Sequence, residues 1–393
     1  MSAAKKGGWE ETGEMIKHIM PALVLIAAAG GPAQAASAVD IGMPMALTGY
    51  LAAFDGHATD GAKLAAKLLN ERGGAGGHPI ELHILDNASN ATTGVTVVNQ
   101  LINKYNVAAI ASGALSAQTV AIEPIVAKNK VPVITMSVLP AAEAEWTFSM
   151  ALPPAKLLDL ELGFADMQLK AKRIAFLYSQ TPYGQIAAKI VADVAKKRGQ
   201  EAVFNEGVPV GSTDLTPQIA RLKEANPDAI VDFLTGPVHL VETKAATTVG
   251  LTIPIVMAID DATTFRQAAD VYQHCYFVMS PIQTYPNVPD PEVAAATKRY
   301  LDAFQASGID QREVGNAGEG WDLVHMYAQL FGKSPDLRGD VLREALMHLD
   351  FVGAYGRYQY RADDHTGQNQ VPVPMQITRF QEGNFQIVSA GQH

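Results

Sequence analysis

From residue 39 onward, short apolar runs alternate with segments of helical period. The run 39–45 (VDIGMPM) reads as a strand, and a Gly-containing loop follows it through Gly56. In 57–72, Leu64, Ala65, Leu68 and Leu69 share one face at helical spacing, and Gly73-Gly74-Ala75-Gly76-Gly77 marks a stop and turn. Strands are predicted at 80–85 (IELHIL, alternating), 107–111 and 131–135, with helices at 92–105 and 117–128 between them. The pair Pro153-Pro154 reads as a break, after which the rhythm resumes. Strands are then predicted at 172–178, 201–206, 228–234 and 253–259, and helices at 183–198, 215–225 and 240–249. Beyond Pro281 the pattern is mainly helical (292–306, 318–331, 337–348), and 355–361 and 375–380 read as closing strands.

Two successive β-α-β-α series predict an α/β fold of two parallel sheets, each covered by helices on both faces. In such sheets a ligand sits outside the carboxyl ends of the strands, where the connections switch direction. The loops at 46–56, 112–116, 136–140, 179–183, 235–239 and 259–264 are therefore the places to search for a site.

The N-terminus changes the picture. Residues 16–31 (IKHIMPALVLIAAAGG) place a short basic start before a compact apolar run, and Ala33-Gln34-Ala35 forms a cleavage pattern, so 1–35 reads as a secretory signal peptide. Glu10, Glu11 and Glu14 are foreign to such a leader and point to Met15 as the true start. The apolar run is too short for a permanent membrane span, and no cysteine near the cleavage point offers a lipid anchor. The expectation is an exported, periplasmic protein. With 48% hydrophobic and 18% charged residues, disorder is excluded. The net charge of -10, without a basic run, argues against nucleic acid as partner. A single cysteine, Cys275, leaves no internal disulfide and no cysteine metal site.

Several segments carry a family resemblance in order and spacing: IGMPMALTGYLAAFDG (41–56), GAKLAAKLLNERGGAGGHPIEL (61–82), SGALSAQTVAIEPIVAKNKVPVI (112–134), TPYG (181–184), TDLTPQIARLKEANPDAI (213–230) and Gly320-Trp321-Asp322. From Asp40 on, the chain resembles the type I periplasmic binding proteins of ABC transporters, in the branch of the leucine/isoleucine/valine-binding protein. The resemblance implies two doubly wound parallel-sheet lobes joined by three crossovers, with a ligand closed between them. Lobe 1 would be 36–153 plus 284–355, and lobe 2 would be 154–283 plus 356–393. It further implies a monomer without cofactor or metal that delivers its solute to a membrane permease.

Ser116 opens a helix directly after a strand, so its hydroxyl and the free N–H groups can hold an anion or simply cap the helix. The family holds the ligand carboxylate at this position. The resemblance places Ser137, with Val138 beside it, at another contact to the charged end of the ligand. It matches Tyr183 to an aromatic closing over the ligand and Phe54 to an aromatic near the pocket mouth, where a core role is equally open. Departures are as telling. Leu139 stands where amino-acid binders carry a threonine, Thr235 or Gly236 replaces one aromatic, and Asn316 replaces another. The acidic partner of the ammonium aligns without gaps to Ile259, and a one-residue slip would bring in Asp260, followed by Asp261.

An unpaired buried ammonium costs several kcal/mol. An aromatic ring burying ~150–250 Å² contributes roughly 4–6 kcal/mol. An aromatic or aliphatic carboxylate is therefore at least as plausible a ligand as a branched-chain amino acid. Other chemistry is sparse: His78 and His83 point to opposite faces, His325 and Cys275 read as packing residues, and Asp363-Asp364-His365 reads as a solvated turn. The leading expectation is an exported binding protein for a small carboxylate-bearing solute. An exported α/β enzyme and a ligand-sensing receptor domain are the alternatives.

Overall fold

The computed structural model describes residues 37–139, 144–260 and 262–390. The leader read over 1–35, Pro140 of a predicted loop, and Asp261 lie outside the described residues. In chain order the elements begin with β1 (Val39–Met45), α1 (Ala52–Glu71), β2 (Ile80–Asp86), α2 (Ala91–Asn103), β3 (Ala109–Ser112), α3 (Ser116–Asn129), β4 (Val133–Thr135) and β5 (Thr147–Ser149). Next come α4 (Pro154–Met167), β6 (Arg173–Ser179), α5 (Pro182–Lys197), β7 (Glu201–Val208), α6 (Thr216–Glu224), β8 (Ala229–Phe233), α7 (Val238–Val249), β9 (Ile255–Met257), α8 (Ala262–Val271) and β10 (Cys275–Met279). The remainder is α9 (Pro281–Thr284), α10 (Pro291–Ser307), α11 (Val314–Phe331), α12 (Gly339–Leu346), β11 (Asp350–Val352), β12 (Arg357–Gln359), β13 (Gln376–Gln381) and β14 (Asn384–Ala390).

The strands form two main sheets. The first has the order β2-β1-β3-β4-β5, all parallel. The second has the order β14-β13-β10-β9-β8-β6-β7. An inner strand of each, β3 (AIAS) and β8 (AIVDF), is buried at every position, as parallel strands covered on both faces must be. The chain passes between the two sheets after β5, after β10, and again after β12.

Several elements depart from the expectation. The Pro153-Pro154 break opens α4 rather than interrupting structure: Pro153 is the N-cap and Pro154 the first helical residue, where its missing N–H costs nothing. Helix α8 is ten residues long and buries only Phe265, Ala268 and Ala269, two of them small, which leaves little apolar signal in the sequence. β5 is three residues long, and β10 is a five-residue apolar run beside the polar Gln273-His274. β13 and β14 pair antiparallel, so the second sheet is mixed and not wholly parallel. Tyr358 and Tyr360, assigned from sequence to the second lobe, are buried in the cluster around β1, β3 and α11.

Helices α1 and α11 cross at a distance only glycine permits. A Cβ on Gly61 would stand 1.7 Å from the Ala317 carbonyl oxygen, and one on Gly320 would stand 1.7 Å from that of Ala58. The Asp322 carboxylate, fully buried just beyond this crossing, accepts the backbone N–H groups of Ala354 and Tyr355, each at 2.8 Å. It ties α11 to the turn between β11 and β12.

Gly320→Ala must therefore push α1 and α11 apart, and the expected loss is roughly 1–3 kcal/mol of stability by urea denaturation. Gly56→Ala is the control: its Cβ meets nothing within 4 Å on the same helix α1, so it should gain up to about 1 kcal/mol.

Candidate functional site

Each sheet has one place where strand order reverses. In the first, β2 and β3 flank β1; in the second, β7 and β8 flank β6. Loops leaving neighbouring strands there run in opposite directions and leave a crevice. Two buried carboxylates hold these loops. Asp55 accepts the N–H of Ala46 (2.7 Å) after β1 and of Ala114 (3.0 Å) after β3. Asp232, at the end of β8, accepts the N–H of Leu234 (3.3 Å) and of Ala258 (3.2 Å), which follows β9. Gly113 is required beside Asp55, because a Cβ there would stand 2.1 Å from its Oδ2.

Between these loops lies a cavity of about 750 Å³, a volume typical of small-molecule sites. All six predicted loops contribute to its wall. Of the site residues expected from sequence, Phe54, Ser116, Ser137, Val138, Tyr183, Thr235, Gly236, Asp260 and Asn316 line it, and Leu139 does not. Ile259 and Asp260 both line the wall.

At one end of the cavity stands the N-terminus of α3. Leu115 occupies the cap position and supplies no side-chain bond, so Ser116 is the first helical residue and not the N-cap. The Gln118 and Thr119 N–H groups donate to the Leu115 carbonyl, so it is the Ser116 and Ala117 end of the helix, with the positive end of its dipole, that meets the cavity. Ser137 is held nearby: its N–H donates to Thr135 Oγ1 (3.1 Å) and its carbonyl accepts from Ser149 Oγ (2.6 Å). On the opposite wall, Thr181 caps α5 through the Gly184 N–H (3.2 Å), and the half-buried Tyr183 ring stacks on Phe233 with centroids 5.2 Å apart. Burial, and then the nearby Glu161, push the Tyr183 phenol up, so it stays neutral.

Several lining residues escaped the sequence reading. Tyr50 belongs to the loop before α1, and its carbonyl lies within 3.7 Å of where a Gly236 Cβ would be. Glu319 lines the cavity one helical turn after Asn316, a spacing that could have signalled it. Burial raises its carboxyl to about 8 against a side-chain hydrogen bond from Tyr355, with Asp55 and Asp322 raising it further. Asp55 is raised to about 6 and Asp322 to about 7, by burial in each case, against the backbone N–H bonds they accept. Tyr355, from the turn between β11 and β12, and Met375, just before β13, also line it, and no local pattern marks either.

Other singled-out groups lie in packed surroundings. Cys275 is buried and its thiol is pushed well up by that burial. His325 faces the Trp321 carbonyl at 2.9 Å and packs on its indole. His365 is not solvated: its ring stacks on Phe148 at 4.1 Å and Nδ1 faces the Ala144 carbonyl. Among the described residues, two sets of three side chains bring metal-ligand atoms within 4.8 Å: Asp40, Glu81 and His83, and the buried Asp232, His239 and Glu242. The first is met by the 2.7 Å pair of His83 with Asp40. In the second, burial and the adjacent Asp232 push Glu242 well above the carboxylate range.

The family model for periplasmic binding proteins matches residues 38–384. The chain belongs to the periplasmic binding protein family. Curated relatives include Leu/Ile/Val-binding protein homolog 3 of Brucella melitensis, 26% identical over 53% of this chain, and Leu/Ile/Val-binding protein homolog 1 of Brucella abortus, 28% identical over 53%. The match spans 57% of the length of each. Among solved structures, an extracellular ligand-binding receptor from Rhodopseudomonas palustris HaA2 superposes with a TM-score of 0.81 at 18% identity, over 90% of this chain and 100% of that one. The branched-chain amino acid substrate-binding protein LivJ of Streptococcus pneumoniae, in complex with isoleucine, gives 0.75 at 23% identity, over 90% and 100%. These structures share the fold of this chain, that of a type I periplasmic binding protein. No helix among the described residues is long and apolar enough to cross a membrane.

Glu319 gives a pH test. Its folded-state value, about 8, lies above the ordinary carboxyl value, so the folded protein holds a proton that the unfolded chain has released. The stability it contributes is complete in acid and is lost as pH rises through about 8. Glu319→Gln should therefore gain stability relative to wild type between pH 5 and pH 8, on the order of a few kcal/mol. Equal differences at both pH values in thermal denaturation would refute a raised carboxyl at this position.

Proposed function

We propose that this chain is the exported solute-binding component of an ABC transporter. It captures a hydrophobic α-amino acid between its two halves without making or breaking a bond. The observation that carries the reading is the polarity of the cavity: a helix N-terminus with Ser116 and Ser137 at one end, and the Asp260 carboxylate on the wall from the second sheet. A zwitterion satisfies both. Its carboxylate accepts from the α3 N–H groups and the serine hydroxyls, and its ammonium pairs with Asp260. Phe54, Val138 and Tyr183 supply apolar wall for the side chain. The names of the Brucella relatives and the isoleucine bound in the Streptococcus protein support the same class.

Sequence alone left an aromatic or aliphatic acid without an amino group equally open, because Ile259 aligned with the ammonium partner. The presence of Asp260 on the wall favours the amino acid: a carboxylate facing a purely apolar acid would lose solvation without a counter-charge. Closure about the passages between the sheets would then present the loaded form to a membrane permease in the periplasm.

A thermal-shift panel of amino acids, aromatic acids and short fatty acids tests this, because a ligand binding only the folded state raises the midpoint by mass action. Leucine, isoleucine or phenylalanine should raise it, and their analogues without the amino group should raise it less; the reverse order would overturn the reading. Ser116→Ala should then weaken the selected amino acid by roughly 1–3 kcal/mol in calorimetry while leaving the melting midpoint of the free protein in place. Unchanged affinity would remove Ser116 from the site.

A further inference from the structure

We propose that His239 is a positioning residue for Asp260: it fixes the cleft carboxylate toward the ammonium of the ligand and thereby sets discrimination between an α-amino acid and the same acid lacking the amino group. The inference rests on the reading of Asp260 given above.

His239 is the second residue of α7 and is completely buried. Its Nδ1 faces Asp232 Oδ2 at 3.3 Å, and its Nε2 faces Asp260 Oδ2 at 3.3 Å. Asp232 is itself immobile, in the middle of the second sheet with two backbone N–H groups on its Oδ1. Phe265 of α8 packs against the imidazole edge, 6.0 Å between centroids and 69° between planes, which fixes the rotation of the ring. A rigid line therefore runs from a central strand, through a helix, to the cavity wall.

Asp260 needs such a support. It sits in the irregular segment between β9 and α8, where no strand ladder sets its direction, although its carbonyl accepts from Gln283 at 3.2 Å. A site carboxylate is selective only if its oxygens stay where the ammonium arrives. The ring also answers a charge problem. Asp232 and Glu242 are fully buried beside it, with the buried Glu161 acting on Asp232, and no lysine or arginine among the described residues forms an ion pair with them. Burial and Asp232 hold Glu161 and Glu242 protonated, which leaves His239 as the basic group between Asp232 and Asp260. With a ring nitrogen 3.3 Å from a carboxylate oxygen on each side, the imidazole offsets part of the cost of a carboxylate at Asp260 next to the cavity.

The two amide replacements separate the contacts. His239→Asn puts its amide near the place of Nδ1 and loses the reach to Asp260, whereas His239→Gln puts its amide near Nε2 and keeps it. The readout is the ratio of the Kd for 4-methylpentanoate to that for leucine, measured by calorimetry on the full chain. Wild type should favour leucine; His239→Asn should reduce the ratio by about tenfold or more, equivalent to ~1.4 kcal/mol. His239→Gln should restore most of it. A purely structural histidine would weaken both ligands alike and leave the ratio unchanged, which would overturn the inference while the Asp260 reading stands. A wild-type ratio near one, unaltered by Asp260→Asn, would overturn both. If His239→Asn does not fold, Asp232→Asn, which withdraws the other anchor of the ring, should move the ratio in the same direction; no movement counts against the inference.

Discussion

Two buried carboxylates, Asp55 and Asp232, hold open the crevice on which everything else depends. Parallel strands deliver all their carboxyl ends to one edge of a sheet, and where strand order reverses, the connections diverge. Divergence alone would leave several backbone N–H groups without partners in a closely packed region, at a cost comparable to a lost hydrogen bond each. Asp55 accepts from the loops after β1 and β3, and Asp232 from those after β8 and β9. Each carboxylate thus replaces the missing ladder at its strand ends. The result is two sets of rigid loops bearing the side chains that line one cavity.

The same device serves function in the second half. Asp232 has an oxygen left over after bonding the backbone, and that oxygen meets His239, whose far nitrogen meets Asp260 at the cavity. A group that the fold needs for its own backbone thereby supports a group on the ligand side. In the first half the corresponding reach runs through helices: α1 carries Asp55 and Phe54, and α11 carries Asn316 and Glu319. Their crossing at Gly61 and Gly320 brings Phe54, Asn316 and Glu319 close enough to share one wall.

Much of the site was legible because parallel α/β architecture makes loop position predictable from strand position. The apolar runs at β1, β3, β6 and β8 stand out because strands buried on both faces need nearly continuous apolar sequence. Once they are located, the loops carrying Ser116, Ser137, Tyr183 and Thr235 follow. Leu139 failed because it sits one residue beyond the wall, and loop residues have no period to say which of them point inward. Glu319, Tyr355 and Met375 failed because their nearness to the loops depends on helix crossing and on passages far along the chain.

The sequence by itself determined the alternation of strands and helices, the places where chain direction reverses, and the family, since each depends on local period or ordered motifs. Only the tertiary structure shows that Ile259 and Asp260 both line the cavity, because a one-residue register in an irregular loop leaves no trace in composition or spacing. It likewise decided that Glu319 is a cavity acid and that His239 lies between two aspartates. Such pairings join residues from separate elements, and the packing of α1 on α11 and of α7 under β8 brings them together.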